Sequence, residues 1–167
     1  MTQLRGVGIG LGVAQGPVAR MAPPLPAPDD APSARSPEEE TSRAREAVGA
    51  VARELEARGT QAGGAAQEVL EAQAMMAEDP TLEEEIDTRL AQGKTAEWAV
   101  HDAFVSFRQQ LTALGGYLGE RAADLDDVAQ RVIAQLRGEP APGVPDPGPP
   151  FVLVATDLAP ADTPLLD

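Results

Sequence analysis

The stretch TAEWAVHDAFVSFRQQLTALGGYLGERAADLDDVAQRVIAQLRG, residues 95–138, decides the fold. Val100, Phe104, Phe107, Leu111, Leu114 and Leu118 follow one another at spacings of 4, 3, 4, 3 and 4, a heptad row of the kind that lies along a lengthwise helix contact. Thr95 supplies a capping hydroxyl at its start. Such a seam demands a long antiparallel neighbour, and residues 120–137 provide one through Leu125, Val128, Val132 and Leu136. Gly115 and Gly116 fall at the join, where a kink is expected.

Upstream, Ser36, Pro37 and Glu39 form a capping box with proline at the first helical position, so a helix starts there. Its apolar stripe is Ala44, Val48, Val51 and Leu55, and it is expected to end at Gly59 and the Gly63–Gly64 pair. A second helix is read from about Ala65 to Glu78, with Val69, Ala72 and Met76 turned inward. Asp79 caps a third, with Pro80 next and Leu82, Ile86 and Leu90 on one face, stopping at Gly93. Between Pro23 and Pro32, five prolines and two aspartates read as a solvated connector that carries no core.

Both ends of the chain read as extended. In residues 4–20 Val7, Ile9 and Leu11 alternate with glycines, a short strand by period. The glycines miss the GxGxxG spacing of a dinucleotide loop, because Leu11, Val13 and Gln15 occupy its third position. Residues 151–155 are a continuous apolar run, a buried strand by pattern, preceded by six prolines in residues 140–150 that read as a spacer. Two strands make no stable sheet alone, so the pattern implies a discontinuous, incomplete α/β domain with a helical bundle inserted into it. The expected division is 1–22 and 151–167 for the α/β fragments, 33–138 for the helical part and 139–150 for the linker.

Composition narrows the function. A net charge of −14 with no run of Lys or Arg argues against nucleic acid, and the absence of cysteine removes disulfides, thiolate metal sites and cysteine nucleophiles. No window approaches the roughly 18 apolar residues of a membrane span, and the amino terminus lacks a signal-peptide pattern, so a cytoplasmic protein is expected, with no membrane insertion. His101, the one histidine, sits within the heptad helix with no nucleophile elbow nearby and reads as a structural or surface residue. Glu83, Glu84, Glu85 and Asp87 point in different directions around a helix, as a solvated face does, and no metal site is assigned to them. Eight acids against Arg89 give residues 65–93 a charge of −7, half of the chain's total. Met75 and Met76 lie among these acids about 100° apart on the helix. With Met76 inward, Met75 reaches the rim, either as part of a surface for a basic partner or as a filler between helices.

At these residues the chain resembles a known family. EAQAMMAEDPTLEEEI (71–86), GGYLGERAADLDDVAQRVIAQLRG (115–138), FVLVATDLAPADTPLLD (151–167) and GVGIGLGVAQGPVA (6–19) are similar to enzyme I of the bacterial sugar phosphotransferase system, a phosphoenolpyruvate–protein phosphotransferase. The shared strings MMxEDP, YLxERAxDLxDV and ATDLxPxDT occur in the family's order. The resemblance implies a mainly α architecture: a four-helix-type bundle that docks the phosphocarrier HPr, inserted into an incomplete α/β phosphohistidine (swivelling) domain. It implies an HPr-facing surface of Gln73, Met75, Met76, Leu111, Tyr117 and Arg121, with Gln73 standing where some members have His. The family's phosphorylated histidine lies in a GGxTSH motif after ATDLxPxDT, which the 167 residues do not contain. No catalytic residue is therefore assigned, and this chain alone is expected to be inactive. Phosphoenolpyruvate, magnesium and homodimerisation belong, in the family, to a carboxyl-terminal barrel that is likewise not represented. A non-catalytic helical adaptor and a segment of a multiphosphoryl fusion protein are the alternative readings.

Overall fold

The computed structural model describes residues 5–166. Leu4, where the amino-terminal segment is read to begin, the three residues before it, and Asp167 lie outside the described residues.

Among the described residues six α-helices carry the structure: α1 (Pro37–Ala62), α2 (Gly64–Ala77), α3 (Pro80–Ala91), α4 (Ala96–Leu114), α5 (Gly116–Arg121) and α6 (Asp124–Arg137). The chain is mainly helical, as its pattern predicts. The local signals act where they are read. The Ser36 hydroxyl accepts from the Glu39 amide at 3.2 Å while the Glu39 carboxylate accepts from the Ser36 amide at 3.0 Å. Asp79 and Thr95 cap α3 and α4 in the same manner, through the amides of Thr81 and Trp98. Val100, Phe104, Phe107 and Leu111 of α4 are buried, and α4 packs on α6, whose Leu125, Val128 and Val132 are buried in the same core. α1 packs on α2 and α6, and one continuous core joins all four. Leu55, Leu70, Leu82, Leu90 and Leu125 are essentially inaccessible, each contributing about 2 kcal/mol of burial.

Two short strands, β1 (Val18–Arg20) and β2 (Val152–Val154), pair in parallel with Val18 opposite Val152 and Arg20 opposite Val154. The whole bundle lies in the crossover between them. β1 is not the segment the alternation selects. Val7, Ile9 and Leu11 are fully exposed and outside regular structure. A glycine at every second position leaves one face of an extended segment bare and raises the entropy cost of ordering it, whereas Val18–Arg20 has a partner strand. β2 is half-buried rather than buried, since a two-stranded sheet covers little of it.

Four other expectations shift. α1 ends at the expected Gly63–Gly64 pair, capped by Gly63, but runs through Gly59, where a Cβ would meet the Leu70 Cβ at 3.3 Å: glycine there lets α2 approach α1 closely. That approach turns α2 so that Leu70, Gln73, Ala74 and Ala77 face inward, while Val69, Ala72 and Met76 are only half-buried. The seam of α4 stops at Leu111, and Leu114 and Leu118 are 72% and 47% exposed. Gly115 and Gly116 have φ of +67° and +59°, conformations open to glycine, so the join is a break and not a kink.

The proline-rich connector is strapped to the bundle. The Leu25 amide donates to Gln130 at 2.7 Å, the Arg137 guanidinium donates to the Pro26 carbonyl, Lys94 pairs with Asp30, and Leu25 packs against the core. At its end Ser33 donates to Glu40, a carboxylate that is 1% exposed and also takes the Ala96 amide at 3.0 Å and the Arg43 guanidinium at 2.7 Å. Arg43 reaches on to Glu97 at 2.8 Å and to the Leu136 carbonyl, so this one cluster ties the connector, α1, α4 and α6 together.

Candidate docking surface

Residues far apart in sequence meet where α5 passes the first turns of α2. Ala65, Ala66 and Val69 of α2, Tyr117 and Arg121 of α5, and Leu158 and Pro160 of the segment after β2 line an open groove of about 520 Å³. The glycine break places Tyr117 here, 62% exposed. Arg121 stacks over the Tyr117 ring at 5.1 Å and approaches Asp124 at 3.5 Å. Burial pulls its pKa down, but Tyr117 and Asp124 outweigh that and hold the guanidinium above its ordinary value, so it stays charged.

The six residues expected to face a partner divide. Met75 is 74% exposed on α2, Tyr117 is exposed, and Arg121 is half-buried at the groove. Met76 is half-buried against the core. Leu111 and Gln73 are buried in the bundle. Gln73 has neither its amide nitrogen nor its oxygen hydrogen-bonded, an unfavourable burial. Gln73→Leu is therefore expected to raise the unfolding free energy by about 1–3 kcal/mol, read by urea denaturation, and an unchanged midpoint would show that the amide is satisfied. Leu114 and Leu118, exposed beside Tyr117 in the chain, are additions that periodicity hides by assigning them to the seam. The glycine pair that releases them is the signal that could have found them.

The acidic face is partly neutralised from within. Arg45 of α1 pairs with Glu83 at 3.1 Å and Asp87 at 2.8 Å, and Arg89 pairs with Glu85 and Asp102. Among the described residues of this stretch Glu68, Glu71, Glu78, Asp79 and Glu84 carry no ion pair, and all but Asp79 are exposed. They are the acids left to attract a cation. His101 lies half-buried on α4. Among the described residues no group of three His, Cys, Asp or Glu side chains is placed to hold a metal ion, and no helix is long and apolar enough to cross a membrane.

The architecture defines a mainly helical domain set into the crossover between two parallel strands. The solution structure of Enzyme I (nEIt) superposes with a TM-score of 0.69 at 29% identity, covering 89% of this chain and 63% of that one. The N-terminal domain of Enzyme 1 – Nitrogen superposes with 0.67 at 26% identity, covering 91% and 64%. Residues 5–121 match the family PEP-utilising enzyme, N-terminal, and the chain belongs to that family. It is 55% identical over 167 residues to the phosphoenolpyruvate-protein phosphotransferase of Streptomyces coelicolor, covering 99% of this chain and 30% of that protein. It is 39% identical over 104 residues to the multiphosphoryl transfer protein of Xanthomonas campestris, covering 59% and 12%. The chain thus spans less than a third of the length of these curated relatives.

Proposed function

We propose that this chain is the part of a phosphoenolpyruvate–protein phosphotransferase that docks the phosphocarrier HPr, through Met75, Tyr117 and Arg121 at the surface, with Met76, Leu111 and Gln73 supporting them from beneath. The observation that carries the reading is the exposure of Met75 and Tyr117 on a chain that is 55% identical along its length to such an enzyme. An adaptable thioether, a ring stacked on a guanidinium and unpaired acids nearby suit a partner with a basic rim and an apolar centre. The bundle would be the docking unit, residues 33–138, and the segments 1–22 and 151–167 the base that carries it, joined by 139–150. A cytoplasmic setting and a dimeric whole protein belong to the same reading. A segment of a multiphosphoryl fusion is the second reading, favoured by the identity to the Xanthomonas protein.

Titration of labelled protein with HPr should shift amides of residues 68–82 and 111–121, and Met75→Ala should weaken binding by about 1–2 kcal/mol. The on-rate should fall as salt rises, because the exposed acids Glu68, Glu71, Glu78 and Glu84 act over a screened distance. Shifts confined to β1 and β2 would overturn the reading. For the chain alone we expect no phosphate uptake from labelled phosphoenolpyruvate with magnesium. The GGxTSH motif is not in the sequence, and His101 is half-buried on a core helix. Acid-labile label at His101 would contradict this. Magnesium, which the family resemblance implies for the whole enzyme, finds no group of three His, Cys, Asp or Glu side chains placed to hold it among the described residues.

A further inference from the structure

On the side where α1 and α6 lie together, two arginines are held ready by carboxylates of their own helices. Arg58 pairs with Glu54 at 2.7 Å on α1, and Arg131 pairs with Asp127 at 2.8 Å on α6, each four residues from its partner. Arg131 also lies 3.7 Å from Glu54, so the pairs form one socket. The segment after β2 plugs into it. Asp162 takes the Arg131 guanidinium at 3.1 Å, and the Ala161 carbonyl takes Arg58 at 3.0 Å. Arg131, Asp162 and Ala161 are all buried.

The linker closes over the plug. Residues 140–144 line the same groove, and a Cβ on Gly143 would stand 2.9 Å from the Asp162 Oδ1. Only glycine lets the linker lie there without displacing a carboxylate already engaged by Arg131.

We propose that this cluster is a reversible latch, through which the segment 159–163 docks on and leaves the helical bundle as a unit. Opening strands nothing. Arg131 keeps Asp127, Arg58 keeps Glu54, Asp162 passes into water, and the apolar side chains that the segment uncovers are small: buried Ala161 and half-buried Ala159 and Pro160. A permanent joint of the same size would bury large apolar side chains, as the helix contacts of this protein do. The latch also controls a surface. Leu158 and Pro160, next to the plug, form one wall of the groove that holds Tyr117 and Arg121, so release opens that groove on one side.

The proposal concerns the chain by itself and stands or falls apart from the HPr reading. Hydrogen exchange on the full chain tests it with two variants. Asp162→Asn removes the charge at nearly constant shape, and Gly143→Ala obstructs the closed position while leaving every charge in place, in a loop outside the helices. Both should speed exchange of the amides of Val152–Val154 and 161–163 about tenfold or more, with Leu55 and Val132 unchanged. Exchange at wild-type rates in either variant would overturn the latch. So would acceleration that spreads equally to Leu55 and Val132, since the cluster would then be part of the bundle's core.

Discussion

Glu40→Ala is expected to cost the fold about 3–5 kcal/mol, the penalty for removing one partner from a buried charged cluster. The substitution leaves the Ala96 amide without its acceptor, takes one of two carboxylates from Arg43, and frees Ser33, the end of the connector. Glu40→Gln keeps the shape and loses the charge, so it should cost less. The pH dependence separates this cluster from the one at Arg131. Burial pushes the Glu40 carboxyl up, but Ser33, the Ala96 amide and Arg43 outweigh it and hold it below its ordinary value. Its stabilisation is present above the unfolded pKa and is lost as pH falls toward the folded one. Asp127 behaves oppositely: burial pushes it up further than Arg131 pulls it down. Its folded state takes a proton before the unfolded state does, so on acidification Asp127 contributes a gain in stability, opposite in sign to the loss at Glu40. Urea denaturation across pH 3–7 should show a smaller acid-side loss of stability for Glu40→Gln than for the wild type, and an equal loss would mean that Glu40 is not the group responsible.

Phe104→Ala should cost about 3–5 kcal/mol, whereas Leu114→Ala, on the same sequence row, should change stability by less than about 0.5 kcal/mol. Phe104 is 2% exposed on α4 within the core that α4 shares with its neighbouring helices, and truncating it leaves a cavity there. Leu114 is 72% exposed in the last turn of α4, so its truncation removes little buried surface. Thermal unfolding of both variants provides the comparison, and equal losses would mean that the seam runs on past Leu111.

That pair also marks where sequence stops being sufficient. Contacts three and four residues apart are written in the chain itself, and the capping box at Ser36, the caps at Asp79 and Thr95, and the seam from Val100 to Leu111 form as their spacing dictates. The mainly helical class followed from them, whereas the amino-terminal strand formed at Val18–Arg20 and not where Val7, Ile9 and Leu11 alternate. Of the expected docking residues, the exposure of Met75 was legible, because an inward Met76 would point its neighbour outward, although tertiary packing left Met76 itself only half-buried. Periodicity tells which residues share a face, but not which part of that face a neighbour covers. The notch at Gly59 rotated α2 and buried Gln73, the break at Gly115 released Leu114 and Leu118, and the connector gained a core contact at Leu25 only by crossing to Gln130. The buried clusters of Glu40 and Arg131 were decided in the same way. Their partners come from separate elements, Ala96 for Glu40 and Asp162 for Arg131, and a charge reads as solvated until tertiary structure closes over it.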